Sequence, residues 1–350
     1  MLLEVEDLSV AFPTPDGLVE AVRGVSFSVG TGQTLGIVGE SGSGKSVAVQ
    51  TVMGLTRGAR ISGRVQFEGN DLLKMSGKQL REVRGSRIGM VFQDPLSSLH
   101  PYYRVGAQIV EAIRAHEKVP RAAARRRAVE LLGLVGIPHP ERRVDDYPHQ
   151  FSGGMRQRAM IAMALSLGPA LLIADEPTTA LDVTVQAQIL DLLKNLQADM
   201  GMAILMITHD LGIIAELADE VLIMYAGKLM EVAGRRDMYY KPHHPYTLGL
   251  LNSLPQSGHE GEPLVPIKGQ PPSLIRLPRG CPFVPRCDFA MPKCRTQPPP
   301  LRPLPGSPDH RSACWLPLEL TGTSGAAGAA RELASIEANG GPVVVGGKLE

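Results

Sequence analysis

The sequence predicts an α/β fold followed by a distinct C-terminal segment, and three observations carry that prediction. Short apolar runs of strand length recur, as at residues 34–38 and 171–174. Segments with helical periodicity lie between two groups of such strands, at about residues 95–168. After residue 240 proline becomes frequent, and all four cysteines follow. The chain has 350 residues, which is room for about two domains.

The first half of the chain begins with three predicted strands. Residues 2–10 alternate apolar and acidic side chains, and residues 19–29 form a second strand-like run after the turn PTPDG. We expect these two to belong to an antiparallel β subdomain. Residues 34–38 predict a buried strand that leads through a glycine-rich loop into a helix over 46–55.

The remaining elements divide the chain into three predicted parts. Helices over 105–115 and 121–135 indicate a helical subdomain inserted at about 95–168. Strands are expected at 171–174 and 203–207, and a hairpin around Gly227. We therefore expect a core at 1–240, a small cysteine-rich extension at 241–320 and a disordered Gly/Ala-rich tail at 321–350.

Composition excludes some partners. The net charge is only +1, so the overall basic footprint of a nucleic-acid-binding protein is absent, and we expect no nucleic acid partner. The most apolar stretch, residues 159–174, is shorter than a membrane span and is interrupted by Gly168 and Pro169. If the chain works at a membrane, we expect it to dock onto other subunits.

The loop GESGSGKS is the strongest local motif. Its glycines let backbone N–H groups turn toward phosphates, and the following helix presents its positive end. Lys45 is expected to reach the β- and γ-phosphates of a nucleoside triphosphate, and the Ser46 hydroxyl to ligate Mg²⁺. The nucleotide-binding candidates here are Gly39, Ser41, Gly42, Gly44, Lys45 and Ser46.

Two further motifs bear on the same chemistry. The strand LLIAD ends at Asp175, a candidate Mg²⁺ ligand, and the next residue, Glu176, is a candidate general base for the attacking water. Ser152, Gly153 and Gly154 precede a helix and predict a second anion-binding helix start.

The order of these motifs resembles the nucleotide-binding subunits of ABC transporters over about residues 5–235. The resemblance implies a P-loop ATPase core that binds ATP and Mg²⁺. Phe12 matches the aromatic residue that stacks on adenine, and Gln93 matches a glutamine that senses Mg²⁺ and water and connects to the membrane subunit. His209 matches the switch histidine on the γ-phosphate, and Asp182 matches an aspartate at a dimer interface.

The resemblance also implies a dimer. Ser152 and Gly154 match a signature that contacts the γ-phosphate held by the other subunit, so ATP would be sandwiched between two chains. Phe151 and Met155 depart from the commonest form, which has Leu before the serine and Gln after the two glycines. The anion-contacting Ser-Gly-Gly is intact, so we do not interpret the site as degenerate.

Within that family, the stretches FQDPLSSLHP and HPYT look like the oligopeptide/dipeptide importer branch, and residues 12–17 resemble its D-type subunit. The resemblance implies a second ATPase subunit, either an identical chain or an F-type homologue. It also implies two membrane-spanning permease subunits, an extracytoplasmic solute-binding protein and a peripheral location on the cytoplasmic face of the membrane. Two alternatives stay open: a different cargo, such as nickel or a sugar, and a soluble ABC ATPase that acts on DNA or ribosomes.

The four cysteines, Cys281, Cys287, Cys294 and Cys314, lie outside these motifs. They lack the closely spaced Cys pairs of zinc ribbons, and four thiolates at irregular spacing favour a [4Fe–4S] cluster. Zinc and free or disulfide-bonded cysteines remain alternatives. The pattern CPFVPRC is similar to a segment of the importer branch, in which some members carry such a cluster.

Two groups of basic residues receive structural interpretations. His243 and His244 are interpreted as structural rather than as metal ligands. The basic run at 121–127 is expected to be a solvated helix face rather than a binding surface.

Overall fold

The computed structural model describes residues 1–179, 181–254 and 266–317, apart from the side chains of residues 96 and 97. The predicted disordered tail at 321–350 lies outside the described residues. Within those ranges the chain forms two β-sheets with helices packed around them.

The smaller sheet is antiparallel and has the strand order β2–β1–β4–β5. It contains the two N-terminal strands that the sequence predicts and two that it did not. Apolar side chains such as Leu3, Val5 and Phe27 point into the space between the two sheets. Its strands are β1 (Leu3–Thr14), β2 (Gly17–Val29), β4 (Arg60–Phe67) and β5 (Asn70–Asp71).

The larger sheet has eight strands in the order β11–β12–β10–β9–β3–β8–β7–β6. The five strands from β9 to β6 are parallel, and the others pair antiparallel. The bounds are β3 (Thr34–Val38), β6 (Ile88–Val91), β7 (Leu171–Asp175), β8 (Ala203–Thr208), β9 (Glu220–Tyr225), β10 (Lys228–Gly234), β11 (Arg302–Leu304) and β12 (Ser307–Ser312).

Both faces of the parallel strands are buried, which explains their continuous apolar sequences. Ile173 packs toward the antiparallel sheet, whereas its neighbour Leu172 packs toward the helices. The predicted hairpin is confirmed: Ala226 and Gly227 have φ of 46° and 78°, the left-handed pair that a tight hairpin turn requires.

Between β6 and β7 the chain forms the helices α3 to α7, which pack mainly against one another, and α7 also packs against β6. The phosphate-loop helix begins at Lys45, one residue earlier than predicted. The helices are α1 (Lys45–Val52), α2 (Gly77–Val83), α3 (Pro95–Ser98), α4 (Val105–His116), α5 (Arg121–Leu134), α6 (Pro140–Arg143), α7 (Gly153–Ala164), α8 (Val183–Met200), α9 (Leu211–Leu217), α10 (Arg235–Tyr240), α11 (Pro245–Asn252) and α12 (Pro292–Thr296).

The C-terminal segment continues the core sheet. Strand β12 pairs with β10 at Glu231 and Val232, so residues 302–312 extend a sheet that starts in the N-terminal half. The division of the chain at residue 240 stays a prediction. Among the described residues, no helix is both long and apolar enough to cross a membrane.

Candidate functional site

The phosphate-loop motif joins the carboxyl end of β3 to the start of α1. Gly44 caps this helix with φ of 100°, and a Cβ there would collide with the carbonyl oxygen of Ala21. Only glycine fits this position. The loop therefore takes the tight conformation that its sequence predicts.

Lys45 lies under the loop and is 4% exposed. Its Nζ donates to the carbonyl oxygens of Gly39 at 2.6 Å and Glu40 at 3.0 Å. Burial lowers the pKa of the Lys45 ammonium, and the nearby carboxylates of Glu176 and Asp175 oppose that shift. The loop thus holds a buried cation beside backbone N–H groups, an arrangement suited to phosphate.

Ser46 and Asp175 come together although 129 residues separate them in sequence. The Ser46 hydroxyl donates to Asp175 Oδ1 at 2.9 Å. Burial raises the pKa of the Asp175 carboxyl, the hydrogen bond from Ser46 opposes the rise, and the charge of Glu176 adds to it. A hydroxyl and a carboxylate side by side form a donor set that Mg²⁺ accepts.

Glu176 follows β7 in a left-handed backbone conformation, with φ of 47°. Three side chains contact its Oε2: Gln93 Nε2 at 3.2 Å, Thr179 Oγ1 at 3.0 Å and His209 Nδ1 at 3.4 Å. Its backbone N–H donates to Ile207 O at 2.8 Å, which ties the strained residue to strand β8. Non-glycine residues held in this region are concentrated at functional sites.

Most of these groups line one open cleft of about 610 Å³, a volume in the range of ligand sites. Asp175 and Thr179 lie behind its lining residues, each bonded to one of them. Its walls are residues 40–47 of the loop with Gln93, Glu176 and His209. The cleft lies at the carboxyl ends of parallel strands, where open α/β sheets bind ligands.

Other candidate residues lie elsewhere. Among the described residues that line the cleft, none is Phe12, Asp182 or a member of the Ser-Gly-Gly motif. Phe12 lies on β1 opposite Val19, partly buried against the core. Ser152 caps α7 by accepting from Met155 N at 3.3 Å. Asp182 caps α8 by accepting from Val185 N at 3.0 Å.

Two contributors to the site were not predicted from the sequence. The Thr179 hydroxyl on Glu176 was not predicted, nor was the ion pair between Glu40 and Arg286. Glu40 occupies a variable position of the loop pattern, and 246 residues separate it from Arg286. No local pattern reports a contact of that range.

The four cysteines line one small apolar cavity, together with Phe283. All four are free thiols. Burial raises the pKa of the Cys281 thiol to about 11 and that of Cys314 to about 12. Within the described ranges, no three Cys, His, Asp or Glu side chains are grouped closely enough to hold a metal ion. The thiols thus share a cavity but do not form a ready-made site for one ion.

The two adjacent histidines take part in a buried polar network. The backbone N–H groups of His243 and His244 donate to Glu231, at 2.7 and 2.9 Å, and His310 Nε2 lies 2.7 Å from Glu231 Oε1. His243 Nδ1 lies 2.9 Å from Ser312 Oγ. These contacts join α11 and β12 to β10 and so anchor the C-terminal segment.

Comparison with known proteins agrees with this arrangement. The family described as "ABC transporter" matches residues 22–179, and "Oligopeptide/dipeptide transporter, C-terminal region" matches residues 230–294. The chain is 51% identical to the oligopeptide transport ATP-binding protein OppD of Salmonella typhimurium, over 91% of this chain and 95% of the relative. It is 50% identical to the dipeptide transport ATP-binding protein DppD of Bacillus subtilis, over 90% and 94%.

Solved structures show the same core. A dimeric ATP-binding cassette bound to ADP and phosphate superposes with a TM-score of 0.61 at 25% identity, covering 67% of this chain and 98% of that one. For cbiO1 of Clostridium perfringens, part of the ABC transporter complex cbiONQ, the TM-score is 0.59 at 31% identity, with coverage of 68% and 90%. The cleft, the fold and the similarity to these relatives along most of the chain lead to one conclusion. The chain belongs to the oligopeptide/dipeptide transport ATP-binding proteins of the ABC transporter family.

Proposed function

We propose that this chain is the ATP-hydrolysing subunit that drives import of di- and oligopeptides across the cytoplasmic membrane. The observation that carries the proposal is the position of Glu176. Its carboxylate faces the phosphate-binding cleft and is contacted on one oxygen by Gln93 and His209.

ATP would bind with its phosphates in the loop. The backbone N–H groups of the loop and the Lys45 ammonium would take the β- and γ-phosphates. Ser46 and Asp175 would hold Mg²⁺ with help from Gln93. The bound ion would neutralise charge on the leaving diphosphate. Phe12 would stack on the adenine.

Hydrolysis would use Glu176 as general base. Its carboxylate accepts a proton from water as the water oxygen attacks the γ-phosphorus, and the bond to the β-phosphate oxygen breaks to give ADP and phosphate. His209 and Gln93 would orient the water and the γ-phosphate. The strained backbone and the bond to Ile207 O hold the carboxylate in place.

A second ATPase subunit would complete the site. Ser152, Gly153 and Gly154 begin a helix whose free N–H groups suit an anion, and they lie outside this chain's own cleft. They would contact ATP held by the partner, with Asp182 at the interface. Closure on ATP and opening after hydrolysis provide the two states that transport requires.

The experiment that tests this function is reconstitution. The chain is purified from native membranes, its co-purifying membrane and solute-binding proteins are identified, and the complex is placed in vesicles. We expect ATP-dependent uptake of labelled di- and oligopeptides, lost with Glu176→Gln. Uptake of nickel or a sugar instead would change the cargo, and tight nucleic acid binding without permease partners would refute transport.

We also propose that Cys281, Cys287, Cys294 and Cys314 hold a [4Fe–4S] cluster. The support is chemical: four thiols face one cavity, and iron–sulfur clusters are bound by four Cys thiolates. The segment also carries basic side chains that would offset thiolate charge. Anaerobic purification should yield about four irons and four sulfides per chain, whereas zinc without labile sulfide would refute the cluster.

A further inference from the structure

The cysteine-rich segment is joined to the phosphate loop by a charged pair. Arg286 precedes Cys287, and its guanidinium makes two hydrogen bonds to the Glu40 carboxylate: Nη1 to Oε2 at 2.5 Å and Nη2 to Oε1 at 2.9 Å. Paired bonds of this kind fix direction as well as distance. Glu40 is the first residue of the loop after Gly39.

Arg286 is itself held firmly. Its side chain is 3% exposed, and Nε donates to Lys268 O at 2.8 Å. The rings of Tyr225 and Phe283 lie 5.8 and 5.9 Å from the guanidinium carbon. The hydrogen bonds to Glu40 raise the pKa of Arg286 although burial opposes this, so the side chain stays charged.

The C-terminal segment also holds the backbone of Glu40. The Glu40 N–H donates to the Tyr246 hydroxyl at 2.9 Å. On its other side, the Glu40 carbonyl accepts from Lys45 Nζ at 3.0 Å. The contacts therefore run without a break from Cys287 through Arg286 and Glu40 to the lysine that meets phosphate.

We propose that Arg286 is a positioning residue for ATP: through Glu40 it holds the phosphate loop in its binding conformation and makes ATP affinity depend on the state of the four-cysteine segment. This rests on the proposed function, since it concerns the same cleft. Exposed loop residues such as Ser41 and Gly42 lose conformational freedom when they bind phosphate. A loop that is already fixed before ATP arrives loses less conformational freedom on binding, and it therefore binds ATP more tightly.

The test measures the dissociation constant of a fluorescent ATP analogue for the full-length chain. Glu40→Gln and Arg286→Ala are each expected to weaken binding about 3- to 10-fold, and the double variant should be no weaker than either single one. In Arg286→Ala the KM for ATP should rise by a larger factor than kcat falls, because Arg286 does not line the cleft. Arg295→Ala, an exposed arginine beside Cys294, is the matched control and should bind ATP as the wild type does.

A second arm tests the dependence on the cysteines. Cys287→Ser should weaken ATP binding in the wild-type background but not in the Glu40→Gln background. Equal effects in both backgrounds, or wild-type affinity in Glu40→Gln, would overturn the proposal. Thermal unfolding is followed in parallel. If Arg286→Ala does not fold, Glu40→Gln and Arg286→Lys decide, because the first leaves Arg286 in place and the second keeps the charge and most of the side-chain stem.

Lys45→Ala separates this proposal from the function itself. If Lys45→Ala loses ATP while Glu40→Gln does not, only the link to the cysteines fails. If the wild-type chain does not bind ATP, or Lys45→Ala binds it equally well, the proposed function fails.

Discussion

The nucleotide cleft and the cysteine-rich segment are built in opposite ways. In the cleft, Asp175, Glu176 and His209 stand at or just beyond the ends of parallel strands, so the sheet fixes their separation. The described part of the cysteine-rich segment, residues 266–317, has little regular structure. Polar anchors position it instead: Glu231 with His310, and Glu40 with Arg286.

The difference has a physical consequence. Residues positioned by the ends of strands depend less on any single side-chain contact, so we expect substitutions there to change chemistry more than stability. A segment held in place by buried ion pairs depends on each pair. Removing one partner leaves the other as an uncompensated buried charge.

The largest effect is expected at Glu176. Glu176→Gln keeps the shape of the side chain but removes the proposed base, so hydrolysis should fall by about 10²- to 10⁴-fold while ATP still binds and traps a dimer. Phosphate release and size-exclusion chromatography with ATP measure both. The control is Glu68→Gln, since Glu68 has a similar left-handed backbone, with φ of 48°. Normal turnover in Glu176→Gln would remove Glu176 from the mechanism.

Lys45→Ala should act on binding rather than on the chemical step. Loss of a charge-assisted contact to phosphate costs about 2–3 kcal/mol, which corresponds to roughly 30- to 150-fold weaker ATP binding. Fluorescence titration measures the change. Lys74→Ala serves as the control, because the Lys74 side chain is 82% exposed. Equal affinities for the two variants would contradict the role of Lys45.

Acid should loosen the anchor of the cysteine-rich segment. Burial lowers the pKa of His244 from 6.5 to about 4, so between those values the unfolded chain binds the proton and the folded chain does not. Stability therefore falls as the pH drops through that window, by about 2 kcal/mol between pH 7 and 5. Burial alone would raise the pKa of Glu231, but hydrogen bonds such as that from His310 hold it below its usual value, and acid weakens that contact too.

The variant that tests this titration is His244→Asn. Asparagine can keep the helix cap on Tyr246 N, so the pH dependence should flatten without loss of the helix. His139→Asn is the control, because His139 is exposed and its left-handed backbone tolerates asparagine. Denaturant unfolding at pH 5, 6 and 7 measures how the free energy of unfolding changes with pH. An unchanged pH dependence in His244→Asn would assign the effect to another group.

The smallest effect is expected on the basic helix α5. Arg125 pairs with Asp145 at 2.7 Å, but both side chains are more than 40% exposed, so Arg125→Ala should cost less than about 1 kcal/mol. ATP hydrolysis should not change. A large loss of nucleic acid binding in this variant would instead revive the interpretation of residues 121–127 as a binding surface.

Several elements were predictable because their signals are local. Two of them combine a run of apolar residues, typical of a strand, with a glycine that needs positive φ. They are the strand at 34–38 with its glycine loop, and the hairpin at Gly227. Strands β4, β5, β6, β11 and β12 were missed. Strand β6 has four residues and β11 has three, which is too few to show the alternation of apolar and polar residues that marks a strand. Strands β4 and β12 are rich in polar residues.

The sequence by itself determined the nucleotide chemistry of this protein. The phosphate loop, the acidic end of the strand at Asp175 and the helix cap at Ser152 each require particular residues within a few positions. Only the tertiary structure decided what surrounds that chemistry. It placed three contacts on one oxygen of Glu176, gathered four distant cysteines around one cavity and paired Arg286 with Glu40. Except for Thr179, which follows Glu176 by three residues, these contacts join separate segments of the chain. Their geometry is set by packing, which no local sequence pattern records.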